Sequence, residues 1–123
     1  MAEDPLRYFR IEARELTQGL SKGVLGLEKG PAPAEAVRGL LRLAHTLKGA
    51  ARVVRQPAIA DEAHAIEEAL EPYREGGRAV ERAAIDRVLA ILDGIGARLA
   101  ALDRPAAATS APAPASSPEE RFD

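Results

Sequence analysis

The chain has no cysteine and no tryptophan, and its 123 residues include only two histidines, two tyrosines and two phenylalanines. Without cysteine there are no disulfides and no thiolate metal sites, and the compartment is left open on that count. With aromatics at 3% of the chain, the core has to be built from aliphatic side chains and alanine. No apolar run approaches the roughly 18–20 residues that a membrane span needs, so no membrane partner is expected. The N-terminus, Met-Ala-Glu-Asp-Pro, lacks an apolar h-region, so no signal peptide is expected and a cytoplasmic location is the default. A net charge of −2 gives no general drive toward nucleic acid.

What the chain does have is helical periodicity, in four segments and with no strand alternation. The first is expected from about Asp4 to Leu27, capped by Asp4 with Pro5 in the first turn. Its apolar stripe is Leu6, Phe9, Ala13, Leu16, Leu20 and Leu27, with Val24 expected one step off the series. Gly19, Gly23 and Gly26 weaken its second half as helix and suit close helix packing. After the break at Lys29-Gly30-Pro31-Ala32-Pro33, a second helix is expected from about Ala34 to Val54, with the stripe Val37, Leu40, Ala44, Leu47, Ala51 and Val54. Pro57 starts a third, with Gln56 the expected cap and the stripe Ile59, Ala63, Ile66, Leu70 and Tyr73. Pro72 predicts a kink or an early end, and Gly76-Gly77 closes the segment. The fourth runs from about Val80 to Leu102 on Ile85, Val88, Leu92, Ile95, Leu99 and Leu102. Short connections between such stripes predict an all-α, antiparallel up-down-up-down four-helix bundle over residues 4–103. Residues 104–123, rich in Ala, Pro and Ser, cannot bury enough apolar surface to order themselves and read as a disordered linker or tail, of the kind that often leads to a further domain.

His45 stands one residue past Ala44 of the core stripe, which puts it on the flank of the second helix, partly exposed. Lys48 and Gly49, at i+3 and i+4, share its face, as do Arg38, Leu41, Arg42 and Arg52. An imidazole can carry a phosphoryl group, a nearby ammonium can neutralise it, and a glycine leaves room for a partner. On the third helix Glu67 is one residue past Ile66, and His64 lies one turn before it. Flank can face flank, so Glu67 is placed to accept a hydrogen bond from one ring nitrogen of His45 and leave the other as a nucleophile. An imidazole with the reference pKa of about 6.5 is mostly neutral, hence nucleophilic, at pH 7. The same residues have plainer readings: a surface histidine, a solvated lysine, a local His64–Glu67 pair, arginines paired across the bundle. A metal site from His45, His64 and Glu67 lacks a fourth ligand. No metal and no cofactor is expected.

The segment Leu43-Ala44-His45-Thr46-Leu47-Lys48-Gly49-Ala50-Ala51 resembles the phosphoacceptor motif of histidine phosphotransfer (HPt) domains, most of all those of chemotaxis-type (CheA-like) histidine kinases. Ala63-His64-Ala65-Ile66-Glu67-Glu68-Ala69-Leu70 is similar to that family's second motif and stands at the family's separation from the first. Phe9, Glu12 and Leu16 resemble its first helix, and Ile85-Asp86 with Asp93 its fourth. The resemblance covers about residues 4–103. It implies that His45 is phosphorylated, normally on Nε2, that Glu67 holds the other nitrogen, that Lys48 lies beside the phosphoryl group and that His64 joins the cluster. One departure is Arg55, at a turn where the family often has glycine, which bears on partner docking.

The chain contains no Gly-rich nucleotide loop, so no autonomous kinase activity is expected of it. The phosphoryl group is expected from a histidine kinase catalytic (ATP-binding) domain, in cis or in trans, and is expected to pass to an aspartate of a response-regulator receiver domain. Gly49, Arg38, Leu41, Arg42 and Arg52 are the expected docking residues. The alternative is a helical protein–protein interaction module without phosphorylation.

Overall fold

The computed structural model describes residues 5–102. The cap expected at Asp4 and the tail at 104–123 lie outside them. Four helices account for most of the described chain: α1 (Pro5–Gly26), α2 (Ala34–Val53), α3 (Pro57–Leu70) and α4 (Arg82–Leu102). Single 3-10 turns follow α1 at Leu27–Lys29 and α3 at Glu71–Tyr73. No β-strand occurs among the described residues, and Pro31 and Ala79 form one isolated bridge.

The helices close a ring in which α2 packs on α1 and α3, and α4 packs on α3 and α1. Their three-four stripes converge on one aliphatic core. Leu20, Leu47, Ile59, Ile66, Leu70, Ile95 and Leu99 are its largest fully enclosed side chains. Val24 is also fully buried, which corrects the expectation that it falls off the stripe: the four-residue step from Leu20 and the three-residue step to Leu27 are ordinary helical spacing. Leu6, Leu16, Val54 and Leu102 pack against the core from its margin.

Two of the three α1 glycines explain how closely α1 meets α2. A Cβ on Gly23 would run into the Leu40 side chain, and one on Gly19 would stand 3.2 Å from Leu43 Cδ1, while Gly26 faces open space. At one end of the ring, Arg10 near the start of α1 donates to the Leu102 carbonyl at the end of α4, 3.4 Å away. At the other end, Arg82 at the start of α4 pairs with Glu28 just past α1, at 2.6 Å.

The turn from α2 to α3 is three residues long. The Arg55 N–H donates to the Arg52 carbonyl (3.1 Å) and the Gln56 N–H to the Ala51 carbonyl (2.8 Å). These are the two bonds of a Schellman C-cap, which requires a left-handed residue between them. Arg55 fills that position with φ 60°, a place that favours glycine. Gln56 then caps α3 through its own backbone carbonyl, which accepts from Ala60 N–H at 3.0 Å, and its side chain makes no capping bond. Pro72 ends α3 early, as its ring demands, so the chain turns through Glu71–Tyr73 and α4 begins at Arg82. The Tyr73 hydroxyl accepts from the Glu81 N–H at 3.3 Å, and the Arg78 guanidinium lies 4.6 Å over the Tyr73 ring.

Candidate functional site

The site forms where the flanks of α2 and α3 meet. His45 and Lys48 come from α2, one turn apart. His64 and Glu67 come from α3, also one turn apart. Because Ala44, Leu47, Ala63 and Ile66 are fully buried between the helices, the residues beside them are fixed at the rim.

Glu67 is the hub. Its Oε2 stands 3.2 Å from His45 Nδ1, and its Oε1 stands 2.7 Å from Lys48 Nζ and 3.5 Å from His64 Nδ1. Its side chain is 18% exposed and that of Lys48 13%, whereas the His45 ring is 73% exposed. Burial pushes the Glu67 carboxyl up, but the Lys48 ammonium and the His45 ring outweigh it and hold the carboxyl below its ordinary range. An ionised carboxylate can only accept, so Nδ1 of His45 carries the proton and donates it, and the lone pair sits on Nε2, on the outward side of the ring. The arrangement therefore presents an oriented, accessible nitrogen nucleophile.

Lys48 is engaged by Glu67, so its first effect is to keep that carboxylate charged and in place. His64 is peripheral to the hub: its Nε2 faces Glu68 Oε2 at 3.4 Å and its side chain is 53% exposed. Among the described residues no group of three or more His, Cys, Asp or Glu is arranged to hold a metal ion.

A groove of about 530 Å³ opens beside His45, lined by Arg38, Leu41, Arg42, Thr46, Glu67, Glu71 and Arg74. Arg38, Leu41 and Arg42 are thus brought together on one side of the imidazole. Gly49 and Arg52 lie toward the C-terminal side of His45 and do not line the groove, and the space beyond Gly49 is open. Arg74 and Glu71 were not among the residues expected at the site. Glu71 stands four residues past Glu67 and Arg74 three past Glu71, and the backbone stays right-handed helical at both, so they extend the flank of α3 beyond Leu70. That spacing was the signal for them in the sequence.

Comparison with known proteins matches residues 5–103 to the Hpt domain. The chain belongs to the Hpt domain family. It is 35% identical over 97 residues to the chemotaxis protein CheA of Treponema pallidum, and 36% identical over 97 residues to that of Halobacterium salinarum. Each alignment takes in 79% of this chain, but only 12% and 14% of the respective relative. A gliding motility regulatory protein of Myxococcus xanthus is 40% identical over 76 residues, which are 62% of this chain and 10% of that protein. The chain thus spans a small fraction of the length of the curated relatives it matches. No solved structure matches significantly. No helix among the described residues is long and apolar enough to cross a membrane.

Proposed function

We propose that this Hpt domain is the phosphoacceptor of a chemotaxis-like phosphorelay and that His45 is the residue phosphorylated. The observation that carries the reading is the carboxylate of Glu67 on Nδ1 of an exposed imidazole, with Lys48 holding that carboxylate charged. Nε2 takes the phosphoryl group from the ATP-binding catalytic domain of a histidine kinase, in the same polypeptide or a partner. An aspartate of a receiver domain then removes it. The domain itself supplies an oriented nucleophile, local charge and a docking face. Phosphohistidine keeps a high transfer potential, which suits a relay.

The finer architecture belongs to the same reading: an antiparallel up-down-up-down bundle for the domain at residues 4–103, working in the cytoplasm. The antiparallel arrangement is supported by the contacts of Arg10 with Leu102 and of Arg82 with Glu28, which join the start of one helix to the end of another at both ends of the bundle. The phosphoacceptor role is tested by incubating the chain with a chemotaxis-type kinase catalytic domain and radiolabelled ATP. An acid-labile, base-stable label is expected. A folded chain that takes no label would favour the plain interaction module instead.

A further inference from the structure

We infer that the arginine-lined groove beside His45 is a subsite for a small anionic phosphoryl donor, so that His45 accepts a phosphoryl group directly from an N-phosphoryl compound such as phosphoramidate, without a kinase domain. The inference rests on His45 being the phosphoacceptor. It assigns to the groove a substrate class of its own.

Helical side chains lean toward the N-terminal turn, so the His45 ring leans over Leu41 and Arg42 rather than over Gly49. With Nδ1 held by Glu67, the free Nε2 is the nitrogen available to the groove. The groove's 530 Å³ accommodates a tetrahedral phosphoryl group with its leaving group and several waters, each of which fills about 30 Å³. Three guanidiniums face two carboxylates across it, and Glu67 is already balanced by Lys48. Arg74 pairs with Glu71 at 2.9 Å and Arg38 with Glu75 at 3.2 Å. Both are exposed pairs of little net strength, readily exchanged for a phosphoryl oxygen. Arg42, one turn before His45, has no ion-pair partner among the described residues. It is the guanidinium ready to take the donor's oxygens.

The transfer balances with the groups present. In the donor's zwitterion the nitrogen already bears three protons. The Nε2 lone pair forms the new N–P bond as the donor's P–N bond breaks, and ammonia leaves with that electron pair, needing no general acid. The product carries the phosphoryl group on Nε2 and a proton on Nδ1, a cation that the Glu67 carboxylate stabilises.

His64 provides an internal comparison. It is also exposed, but its two nitrogens face Glu67 and Glu68, which repel an anionic donor and occupy the ring.

The experiment exposes the chain to phosphoramidate and follows N-phosphorylation by phosphorus NMR and mass spectrometry, with folding checked by circular dichroism. His64→Gln isolates His45, and His45→Gln isolates His64. His45 is expected to react at least about tenfold faster than His64 or free N-acetylhistidine, with the product on Nε2. Arg42→Ala should lower the His45 rate by about tenfold, the scale of one charge-assisted hydrogen bond. Arg87→Ala, which removes the same charge from the exposed face of α4, should leave it unchanged. Equal rates at the two histidines, equal effects of the two arginine variants, or an Nδ1 product each overturn the subsite. A kinase-domain arm separates the two levels. Labelling at His45 by the kinase but not by phosphoramidate overturns the subsite alone, whereas labelling by neither overturns the phosphoacceptor reading as well.

Discussion

Replacing Glu67 with alanine separates the two tasks that this carboxylate performs. The first is orientation of His45 through the 3.2 Å contact to Nδ1. A hydrogen bond to a charged group is worth about 1.5–3 kcal/mol, and an exposed ring brings it to the low end of that range. At about 1.4 kcal/mol per factor of ten, transfer from the kinase should slow roughly tenfold or somewhat more. The second task is compensation of Lys48, whose side chain is only 13% exposed and whose ammonium would lose its partner at 2.7 Å. Breaking a fully buried pair costs about 3–5 kcal/mol, and this one, at the rim, should cost about 1–2 kcal/mol. In a domain of this size that lowers the melting temperature by roughly 4–8 °C per kcal/mol. The double variant Glu67→Ala with Lys48→Met removes the stranded charge, so it should recover stability without recovering rate. Glu67→Gln keeps an acceptor without the charge and should fall between wild type and alanine in rate. Single-turnover transfer and thermal melting, run on all four proteins, read the two effects independently. A rate that stays at the wild-type value in Glu67→Ala would refute the orienting role.

The lowered pKa of Glu67 makes its contribution to stability complete above the ordinary carboxyl range near ~4.3, and lost as the pH falls through the still lower folded value. Acid titration of melting should therefore show a steeper loss below about pH 4 in the wild type than in Glu67→Gln, and parallel curves would count against it. Arg55→Gly should stabilise the chain by about 0.5–1 kcal/mol, because it relieves the left-handed strain at φ 60° while giving back part of that gain as unfolded-state entropy; a lower melting point would contradict the C-cap account. A Cβ added at Gly49 meets no atom within 4 Å, so the stability of Gly49→Gln should be equal or higher, since glycine is the poorer helix former by up to about 1 kcal/mol. The same variant should sharply depress transfer to a receiver domain if that partner approaches over Gly49, and normal transfer would remove Gly49 from the docking face.

The four helices and the polar hub were legible because each depends on a short-range rule. Aliphatic side chains every three or four residues fix the buried face, and His45 and Glu67 stand one residue past Ala44 and Ile66 on faces that must meet. What was not legible depends on how the chain leaves its helices. Glu71 and Arg74 keep helical spacing from Glu67, but Pro72 predicts a kink or an end there, and the sequence does not say that the helical course persists through Arg74. Arg55 was legible only as a departure at a turn where the family often has glycine, and the hydrogen bonds of the cap show that it fills a left-handed position. Arg52 shares a helical face with His45 on a wheel diagram, yet it lies two turns along the axis and outside the groove. The engagement of Lys48 by Glu67 required the third dimension too, since its i+3 spacing from His45 fits a partner for the phosphoryl group equally well.

The identity of the labelled residue tests the central claim most directly. His45→Gln and His64→Gln are each incubated with the kinase catalytic domain and ATP, and the phosphorylated site is mapped under basic conditions that preserve phosphohistidine. Both rings are exposed, at 73% and 53%, so neither substitution should disturb the core or the melting curve by much. His64→Gln is expected to take the label, on Nε2 of His45, and His45→Gln to take none. A folded His45→Gln chain that is still phosphorylated would contradict the account.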